Sequence, residues 1–187
     1  SIGNGGERHY IGTFSDPDHD NWHNFEEFDE TLNVYAWGSL RIILNYGEWD
    51  VVYGNKDPKE AADLDLYLLN EDLEVVAWSA NRVEKFKWPV ETIETSVPKG
   101  RYYIAVRSYR VKAPVKFHIF VFKNVKMNEY IVPERSIYST IAAAHGVIAV
   151  GALNPETELI QPYSSRGPTG DGRIKPDLVA YDCTTRC

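Results

Sequence analysis

The sequence predicts a mainly β protein: an antiparallel, jelly-roll-like β-sandwich followed by a partial α/β segment. About eight short runs between residues 9 and 122 are rich in Val, Ile, Tyr and Phe, with turn residues between them and no helical periodicity. Aromatic residues make up 13% of the chain, which favours strands. The apolar run Val147–Leu153 has the pattern of a strand buried on both faces of a parallel sheet.

The predicted strands of the sandwich are separated by Gly, Pro and acidic turn residues. Gly38-Ser39 is a hairpin signal, Pro98-Lys-Gly100 joins two further strands, and residues 47–60 form a long polar loop. Near the end, residues 137–145 predict a short helix with Ser136 as its N-cap and Gly146 as its stop. The predicted strands are His9–Phe14, Leu32–Trp37, Leu40–Tyr46, Ala62–Leu69, Val75–Ser79, Val90–Val97, Arg101–Ser108 and Val115–Phe122.

Charge and composition exclude several classes of partner. The formal net charge of -7 argues against nucleic acids and anionic membranes, and is compatible with cation binding. The longest weakly polar run, residues 137–153, contains His145 and two glycines and is too short to span a membrane. No signal peptide opens the chain, so we expect it to be a piece of a longer protein. Cys183 and Cys187 fit either a local disulfide or two unpaired thiols.

An acidic loop follows the first predicted strand. Residues 16–30 hold seven carboxylates and no Lys or Arg, which is unfavourable without a cation or full solvation. Spacing from Asp16 matches the ligand positions of an EF-hand loop, with Asn21 in place of the usual Gly, although Pro17 and the missing helices argue against a true EF-hand. The predicted Ca²⁺ ligands are Asp16, Asp18, Asp20, the Trp22 carbonyl, Asn24 and Glu27.

Two other interpretations of this acidic loop remain open. A solvated acidic turn held by hydrogen bonds to Asp and Asn side chains requires no cation. His19 and His23 suggest a transition metal such as zinc, but the ligand set is rich in carboxylates and therefore favours calcium.

The segment Ser164-Ser-Arg-Gly-Pro-Thr169, then Asp171-Gly-Arg173, then Lys175-Pro-Asp-Leu-Val-Ala180 has ordered turn residues followed by a short apolar strand. It resembles the segment of subtilisin-like serine peptidases (subtilases) that precedes their nucleophilic serine. The run Val147–Leu153 is also similar to a strand of that family. After Ala180 the family usually shows Pro-Gly, whereas this chain continues with Tyr181 and Asp182.

Gly3-Asn4-Gly5-Gly6 matches the Gly-Asn-x-Gly loop of subtilases. The resemblance implies that Asn4 lines the oxyanion hole of the parent enzyme, where an amide donor faces the developing negative oxygen. The alternative is a plain flexible loop. Asn4, the apolar strand and the Ser164–Ala180 segment keep the family's order, but the distance from Asn4 to the strand is far longer than a subtilase core needs.

The extra residues carry a second resemblance. Asp63-Leu-Asp-Leu-Tyr67, Glu91-Thr-Ile93 and Gly100-Arg-Tyr-Tyr-Ile-Ala-Val106 are similar to prepeptidase-C-terminal-type β-domains of secreted peptidases. We therefore predict a subtilase-core loop at residues 1–8, an inserted β-sandwich at 9–127 and a subtilase-core strand and loop segment at 128–187. Asp63 and Asp65 share a strand face, where they either add cation ligands or face solvent.

The family's catalytic triad is not found in this sequence. The sequence motifs that surround the family's catalytic Asp and His are absent, and so is the Gly-Thr-Ser-x-Ala-x-Pro motif of its nucleophilic serine. His118 and His145 are not flanked by the residues of the family's His motif. Together the resemblances imply a secreted, extracellular serine endopeptidase of which this chain is a non-catalytic fragment, inactive alone. Its implied partners are a polypeptide substrate and the remainder of the catalytic domain. The insert would position substrate or bind Ca²⁺ for stability.

A different class of function also fits the composition. A stand-alone β-sandwich could bind carbohydrate or a protein such as collagen without any enzymatic role, with tryptophans as the stacking surface. Against this, Trp in a β-sandwich is more often part of the core. The tryptophans concerned are Trp22, Trp37, Trp49, Trp78 and Trp88.

Overall fold

The computed structural model describes residues 1–84, 87–138 and 140–182. The chain divides into two compact units, which we call the β unit (Ile11–Tyr130) and the terminal unit (Ser1–Tyr10 with Ile131–Cys187). Interpretation of these units as an insertion and a part of a catalytic domain, with borders after residues 8 and 127, remains a prediction. Cys183 and Cys187, predicted either to form a local disulfide or to be unpaired thiols, lie outside the described residues.

A six-stranded sheet in the order β1-β6-β2-β5-β3-β4 dominates the β unit. Strand β2 pairs antiparallel with β5 and β6, and β3 pairs antiparallel with β5 and β4. This large antiparallel sheet is consistent with the predicted sandwich and confirms the mainly β class. The strands are β1 (His9–Thr13), β2 (Leu32–Tyr46), β3 (Asp63–Leu69), β4 (Val75–Ser79), β5 (Val90–Arg110) and β6 (Lys116–Met127).

The predicted hairpin at Gly38-Ser39 is wrong, because β2 runs through both residues as one strand. Its register against β5 shifts between Ala36 and Gly38, and Gly38 has φ +59°. A glycine that interrupts alternation fits a β-bulge as well as a turn, and here the partner strands continue on both sides of it. The two strands expected around Pro98-Lys-Gly100 are likewise one strand, β5.

The long polar loop between β2 and β3 contains a little local structure. A short helix, α1, spans Trp49–Val52, and a 3₁₀ turn spans Pro58–Glu60. The Asp57 carboxylate accepts a hydrogen bond from the Lys59 amide and so caps the 3₁₀ turn.

Alternation along β2 builds the core of the β unit. Leu32, Val34, Leu40, Ile42 and Leu44 are all fully buried, as is Ala36, while the other residues between them are partly or fully exposed. Full burial of each such side chain contributes about 1.5–3 kcal/mol. The register shift between Ala36 and Leu40 interrupts this alternation at the exposed Gly38, and buried even-numbered residues resume at Leu40, so both halves of the strand contribute to the core.

The terminal unit contains a two-stranded parallel sheet of β7 (Val150–Leu153) and β8 (Leu178–Tyr181), and a short helix α2 (Thr140–Ala143). The expectation of a strand buried on both faces is wrong for β7, where Gly151 alone is buried. All four residues of β8 are exposed. Parallel sheets are normally covered on both faces by other elements. This two-stranded sheet has the apolar sequence of such a sheet, but its side chains are partly or fully exposed to solvent.

Ser136 is not a helix cap. Its hydroxyl accepts a hydrogen bond from the Arg166 amide, and α2 begins only at Thr140. Gly146, the predicted stop, does adopt a positive φ of +74° beyond the helix end. No helix among the described residues has the length and apolar character needed to cross a membrane.

Candidate functional site

The loop that contains Asn4 is fixed against the Tyr163–Arg166 segment of the terminal unit. The Ser165 amide donates to the Gly3 carbonyl at 2.9 Å, and the Gly6 amide donates to the Tyr163 carbonyl at 3.0 Å. The Gly5 amide donates to the Ser165 hydroxyl at 2.8 Å, across 160 residues of sequence. These three bonds bring together the two motifs that the sequence pattern associated with one active site.

Ser164 and Ser165 are structural residues in this arrangement. The Ser165 hydroxyl donates to the Ser136 carbonyl at 3.0 Å while it accepts from Gly5, and the Ser164 hydroxyl accepts from the Ala152 amide at 3.1 Å. Both serines are buried. Their hydroxyls hold backbone groups of neighbouring segments, which leaves neither of them available as a nucleophile.

Asn4 itself is exposed at the end of its loop. It lines a shallow cavity of about 240 Å³ together with β7 at Val150–Ala152 and the chain at Ala180–Asp182. The backbone on both sides of Asn4 is held by Gly3 and Gly5, so the amide side chain extends from an anchored base. An anchored amide N–H at a cavity is the group that oxyanion stabilisation requires.

Beyond Ser165, the predicted turn forms through its own side chains. The Thr169 amide donates to the Arg173 carbonyl at 2.9 Å, and the Arg173 amide donates to the Thr169 hydroxyl at 3.0 Å. Gly172 has φ +87°, which a side chain would oppose. A hydrogen bond from Arg173, with a second from Thr169, lowers the pKa of the exposed Asp171 carboxyl to about 2.

Lys175 and Asp177 connect the end of this turn to the start of β7. The buried Lys175 ammonium donates to the Val147 carbonyl at 2.7 Å and to the Asp177 carboxylate at 2.5 Å. The same carboxylate accepts from the Ala149 amide at 2.7 Å, and the Lys175 contact lowers the pKa of Asp177. The Lys-Pro-Asp sequence therefore sets the position of β8 beside β7.

The acidic loop of the β unit brings three of its predicted ligands together. Carboxylate oxygens of Asp16, Asp18 and Asp20 lie within 4.8 Å of one another. The Asp16 carboxylate also accepts from the amides of Asp20 and Asn21 at 3.1 Å each, which curls the loop. Asn21 has φ +77°, the left-handed conformation that its side chain tolerates.

Glu30 is a fourth carboxylate of this group that the EF-hand spacing did not select. Burial raises its pKa, and the charges of Asp20, Asp18 and Asp16 raise it further. The seven-carboxylate run was the signal that could have identified it. The EF-hand spacing could not identify Glu30, because this residue comes back to the three aspartates only after the turn at Glu26–Asp29.

The remaining predicted ligands have other neighbours. The Trp22 backbone forms a bridge with Arg107, and Glu27 is exposed and lies outside the group of three aspartates. Asn24 is buried, and its side-chain oxygen has no hydrogen-bond partner among the described residues. The structure thus brings the carboxylates of Asp16, Asp18 and Asp20 together, while a ligand role for Trp22, Asn24 and Glu27 remains a prediction.

His23 does not provide a zinc ligand in this fold. It is buried, its Nδ1 accepts from the Ser15 amide at 3.1 Å, and its ring packs edge-on to Phe25 and Phe117. Burial lowers the pKa of His23 to about 4, so the imidazole is a neutral core residue. His19 is exposed and contributes nothing to this packing.

Comparison with known proteins places the signature segment in a family. Residues 106–184 match the family model described as the subtilase family. This part of the chain is therefore similar to subtilases. The match includes the Ser164–Ala180 signature but not the Asn4 loop. The Asn4 loop is linked to the matched residues by the hydrogen bonds described above.

One solved structure is similar to this chain over nearly its whole length. The chain is similar to the Clostridium perfringens CspB protease, with a TM-score of 0.62 at 15% identity over 96% of this chain. It spans 40% of the length of that protease. At this identity the similarity establishes the fold alone, and it covers both units.

Two further similarities are too weak to support a statement about fold. One is to the pre-peptidase C-terminal domain of a Bacillus anthracis collagenase, at 12% identity and a TM-score of 0.38 over 62% of this chain and 89% of that one. The other is to the cowpea mosaic virus top component, at 11% identity and a TM-score of 0.33 over 65% of this chain and 78% of that one.

One histidine of the subtilase segment lies beside a carboxylate, but the pair is not a triad fragment. His145 Nε2 lies 3.6 Å from an Asp171 carboxylate oxygen, and both side chains are largely exposed. Asp171 is already held by Arg173 at 2.8 Å. A triad base needs a serine hydroxyl within hydrogen-bond reach, and both serines of the signature are bound elsewhere.

The tryptophans do not follow the expectation that they fill the core. None of the five is buried: Trp22 is partly exposed and the other four are exposed. They do not form one row, since Trp49 and Trp88 make one pair at 6.5 Å and Trp37 lies beside Tyr35 at 6.2 Å. Trp78 and Trp22 belong to a separate surface on β3, β4 and β5.

Proposed function

We propose that this chain is part of a secreted subtilisin-like serine endopeptidase in which Asn4 supplies an oxyanion-hole donor. The supporting observation is the set of backbone hydrogen bonds that fixes the Gly3–Gly6 loop on Tyr163–Ser165. This contact joins a loop outside the family match to the loop inside it. The β unit between them is then an insertion in the catalytic domain.

In this proposal the Asn4 amide donates to the oxygen of the tetrahedral intermediate during acyl transfer. The negative charge develops only as the scissile carbonyl is attacked, so a donor fixed in advance stabilises the transition state more than the substrate. The Asp, His and Ser of the triad are supplied by other parts of the protein. Ser164 and Ser165 act by holding the oxyanion loop and β7 in place.

The remainder of the catalytic domain is the proposed partner of the terminal unit. Several large apolar side chains there are exposed, and they are the kind of surface that a folded protein covers. The uncovered faces of the parallel pair β7 and β8 support the same partner, since such sheets are normally enclosed. The exposed residues are Ile141, Ile148, Ile174, Leu178 and Val179.

Labelling with a fluorophosphonate probe tests this function. The natural protein that contains this chain should react with the probe at a single serine and cleave an unstructured protein such as casein. The 187-residue chain by itself should do neither, because its signature serines are buried and hydrogen-bonded. A natural protein that is not labelled and does not cleave casein would instead favour a binding module without enzymatic role.

The acidic loop is the proposed Ca²⁺ site of the β unit. Asp16, Asp18 and Asp20 supply converging oxygens, and Trp22, Asn24, Glu27 and the neighbouring Glu30 supply further candidates. Among the described residues, Asp16, Asp18 and Asp20 form no salt bridge with Lys or Arg. A hard cation with oxygen ligands relieves the repulsion of such a group.

Thermal unfolding in EDTA and in CaCl₂ tests the calcium proposal. A ligand at 100 times its Kd stabilises by about 2.7 kcal/mol, so Ca²⁺ should raise the Tm by about 5–10 °C. Asp18→Asn should reduce this shift; it is preferred to a change at Asp16, whose carboxylate also holds the loop backbone.

The matched control is Asp72→Asn, an exposed aspartate of the β3–β4 turn outside the acidic loop, which should keep the full Ca²⁺ shift. An identical Tm in EDTA and in CaCl₂ would leave the loop as a solvated acidic turn.

A further inference from the structure

A groove on the β unit lies beside the edge strand β4 and reaches the acidic loop at Asn21. It has a volume of about 530 Å³ and crosses β4, β3 and β5. Tyr67 pairs with Trp78 across β3 and β4, and Asp65 pairs with Arg107 across β3 and β5, which places these four side chains in one surface. The groove is lined chiefly by Trp78, Tyr67, Tyr109, Arg82, Arg107 and Asp65.

Two aromatic rings of the groove are largely in solvent. Trp78 is 64% exposed and Tyr109 is 60% exposed. Tyr67, between them on the floor, is packed edge-on against Trp22 at 5.1 Å. Large exposed rings grouped in a concavity are unfavourable for a free surface and are typical of a site where a ligand with an apolar face stacks.

The floor of the groove holds an ordered polar group. Arg82 Nη1 lies 3.1 Å from Asp65 and 3.5 Å from Asp63, and its guanidinium lies 3.8 Å from the centre of the Tyr109 ring. Asp63 and Asp65 were expected to be cation ligands or solvent-facing residues, but they are only 1% and 5% exposed because Arg82 covers them. The ion pairs fix Arg82, and the stacking contact fixes Tyr109 with it.

Charge in the groove is balanced. The Arg82 guanidinium is shared by the carboxylates of Asp63 and Asp65. The Arg107 guanidinium lies 5.4 Å from the centre of the Trp22 ring. Burial raises the pKa of Asp65, and the nearby charge of Arg107 opposes that rise. Both guanidinium groups therefore already have partners. A phosphate or sulfate group would have to compete with Asp65 for them, so the groove suits a ligand without net charge.

We propose that this groove binds a neutral saccharide. The faces of pyranose rings carry apolar C–H groups that stack on Trp78 and Tyr109, while ring hydroxyls accept hydrogen bonds from Arg82. Asn21 and Ser108, at the rim, add an amide and a hydroxyl. The planar guanidinium of Arg82 carries several N–H donors, and the Asp65 ion pair holds it in one orientation toward the ring hydroxyls. The proposal stands independently of the peptidase assignment.

The test is titration of the 187-residue chain with three neutral hexasaccharides, namely cellohexaose, maltohexaose and N-acetyl-chitohexaose, followed by tryptophan fluorescence and calorimetry. We expect at least one of them to bind with a Kd in the millimolar to micromolar range. Trp78→Ala should weaken that binding by about tenfold or more, because it removes one stacking face. Arg82→Lys should also weaken it, because lysine cannot form the planar contacts.

The matched control is Trp88→Ala. Trp88 is 71% exposed but lies outside the groove, beside Trp49, so its replacement should leave the Kd unchanged. Trp78 is exposed too, and unchanged circular dichroism and Tm will separate lost binding from lost folding. Absence of binding by all three sugars at millimolar concentration, or equal affinity of Trp78→Ala and the unmodified chain, would overturn the proposal. Preferential binding of heparin or of an extended peptide would also overturn it.

Discussion

If the proposed peptidase function holds, replacing Asn4 with alanine in the natural protein that contains this chain should lower kcat by about 10²–10³ and change KM little. This is the loss found when the corresponding amide donor is removed from subtilisin, and we expect the same chemistry here. The donor acts on charge that exists only in the transition state, so kcat and kcat/KM should fall together. Steady-state kinetics on a chromogenic peptide substrate gives both constants.

The folded state should not be affected by this substitution, because Asn4 is exposed and the bonds that hold its loop come from Gly3, Gly5 and Gly6. Asn55→Ala, an exposed asparagine of the β unit, is the control and should leave kcat unchanged. A kcat for Asn4→Ala equal to that of the unmodified enzyme would remove Asn4 from the oxyanion hole, while the family assignment of residues 106–184 would stand.

Gly6→Ala should destabilise the terminal unit by about 1–3 kcal/mol or more, the usual cost of overpacking. A Cβ at Gly6 would lie 2.7 Å from the Ser164 carbonyl oxygen and still closer to that of Pro162. Both are backbone atoms, so the clash can be removed only if the Gly3–Gly6 loop moves away and the Gly6–Tyr163 hydrogen bond breaks. Urea unfolding followed by circular dichroism measures the change.

Gly170→Ala is the matched control for this prediction, since a Cβ there meets no atom within 4 Å. It should leave the unfolding midpoint within the small range of surface substitutions, about 0.5 kcal/mol. Under the proposed function, Gly6→Ala in the natural protein that contains this chain should also reduce kcat, because the loop that carries Asn4 moves. Equal midpoints for Gly6→Ala and Gly170→Ala would show that the two loops are not in contact.

Local patterns predicted most of the strands of the β unit, because apolar and polar residues that alternate with a period of two are typical of a strand. The same patterns were ambiguous at Gly38 and at Pro98–Gly100, where turn residues proved to lie inside β2 and β5. A glycine marks a turn or a bulge equally well, and only the pairing of neighbouring strands selects between them. The expected cap at Ser136 failed for a related reason, since the hydroxyl is taken by the distant Arg166 amide.

The candidate sites, too, were predicted where they depend on neighbouring residues and missed where they depend on the fold. Spacing alone identified Asp16, Asp18 and Asp20, because residues at alternate positions of a curled loop converge locally. It missed Glu30, and it assigned a possible metal role to His23, which the fold places among aromatic rings. The sequence marked Trp78 as a possible stacking residue but could not place it in a groove, because the groove depends on the register that sets Trp78, Tyr67 and Arg107 side by side on three strands.

The sequence by itself determined the mainly β class, the subtilase signature and the order of its parts, because these are encoded in neighbouring residues. The tertiary structure alone decided that Gly5 meets Ser165 across 160 residues, that the signature serines are buried and that the tryptophans are not. Burial and long-range hydrogen bonds depend on which segments pack together, and residue periodicity carries no information about that choice.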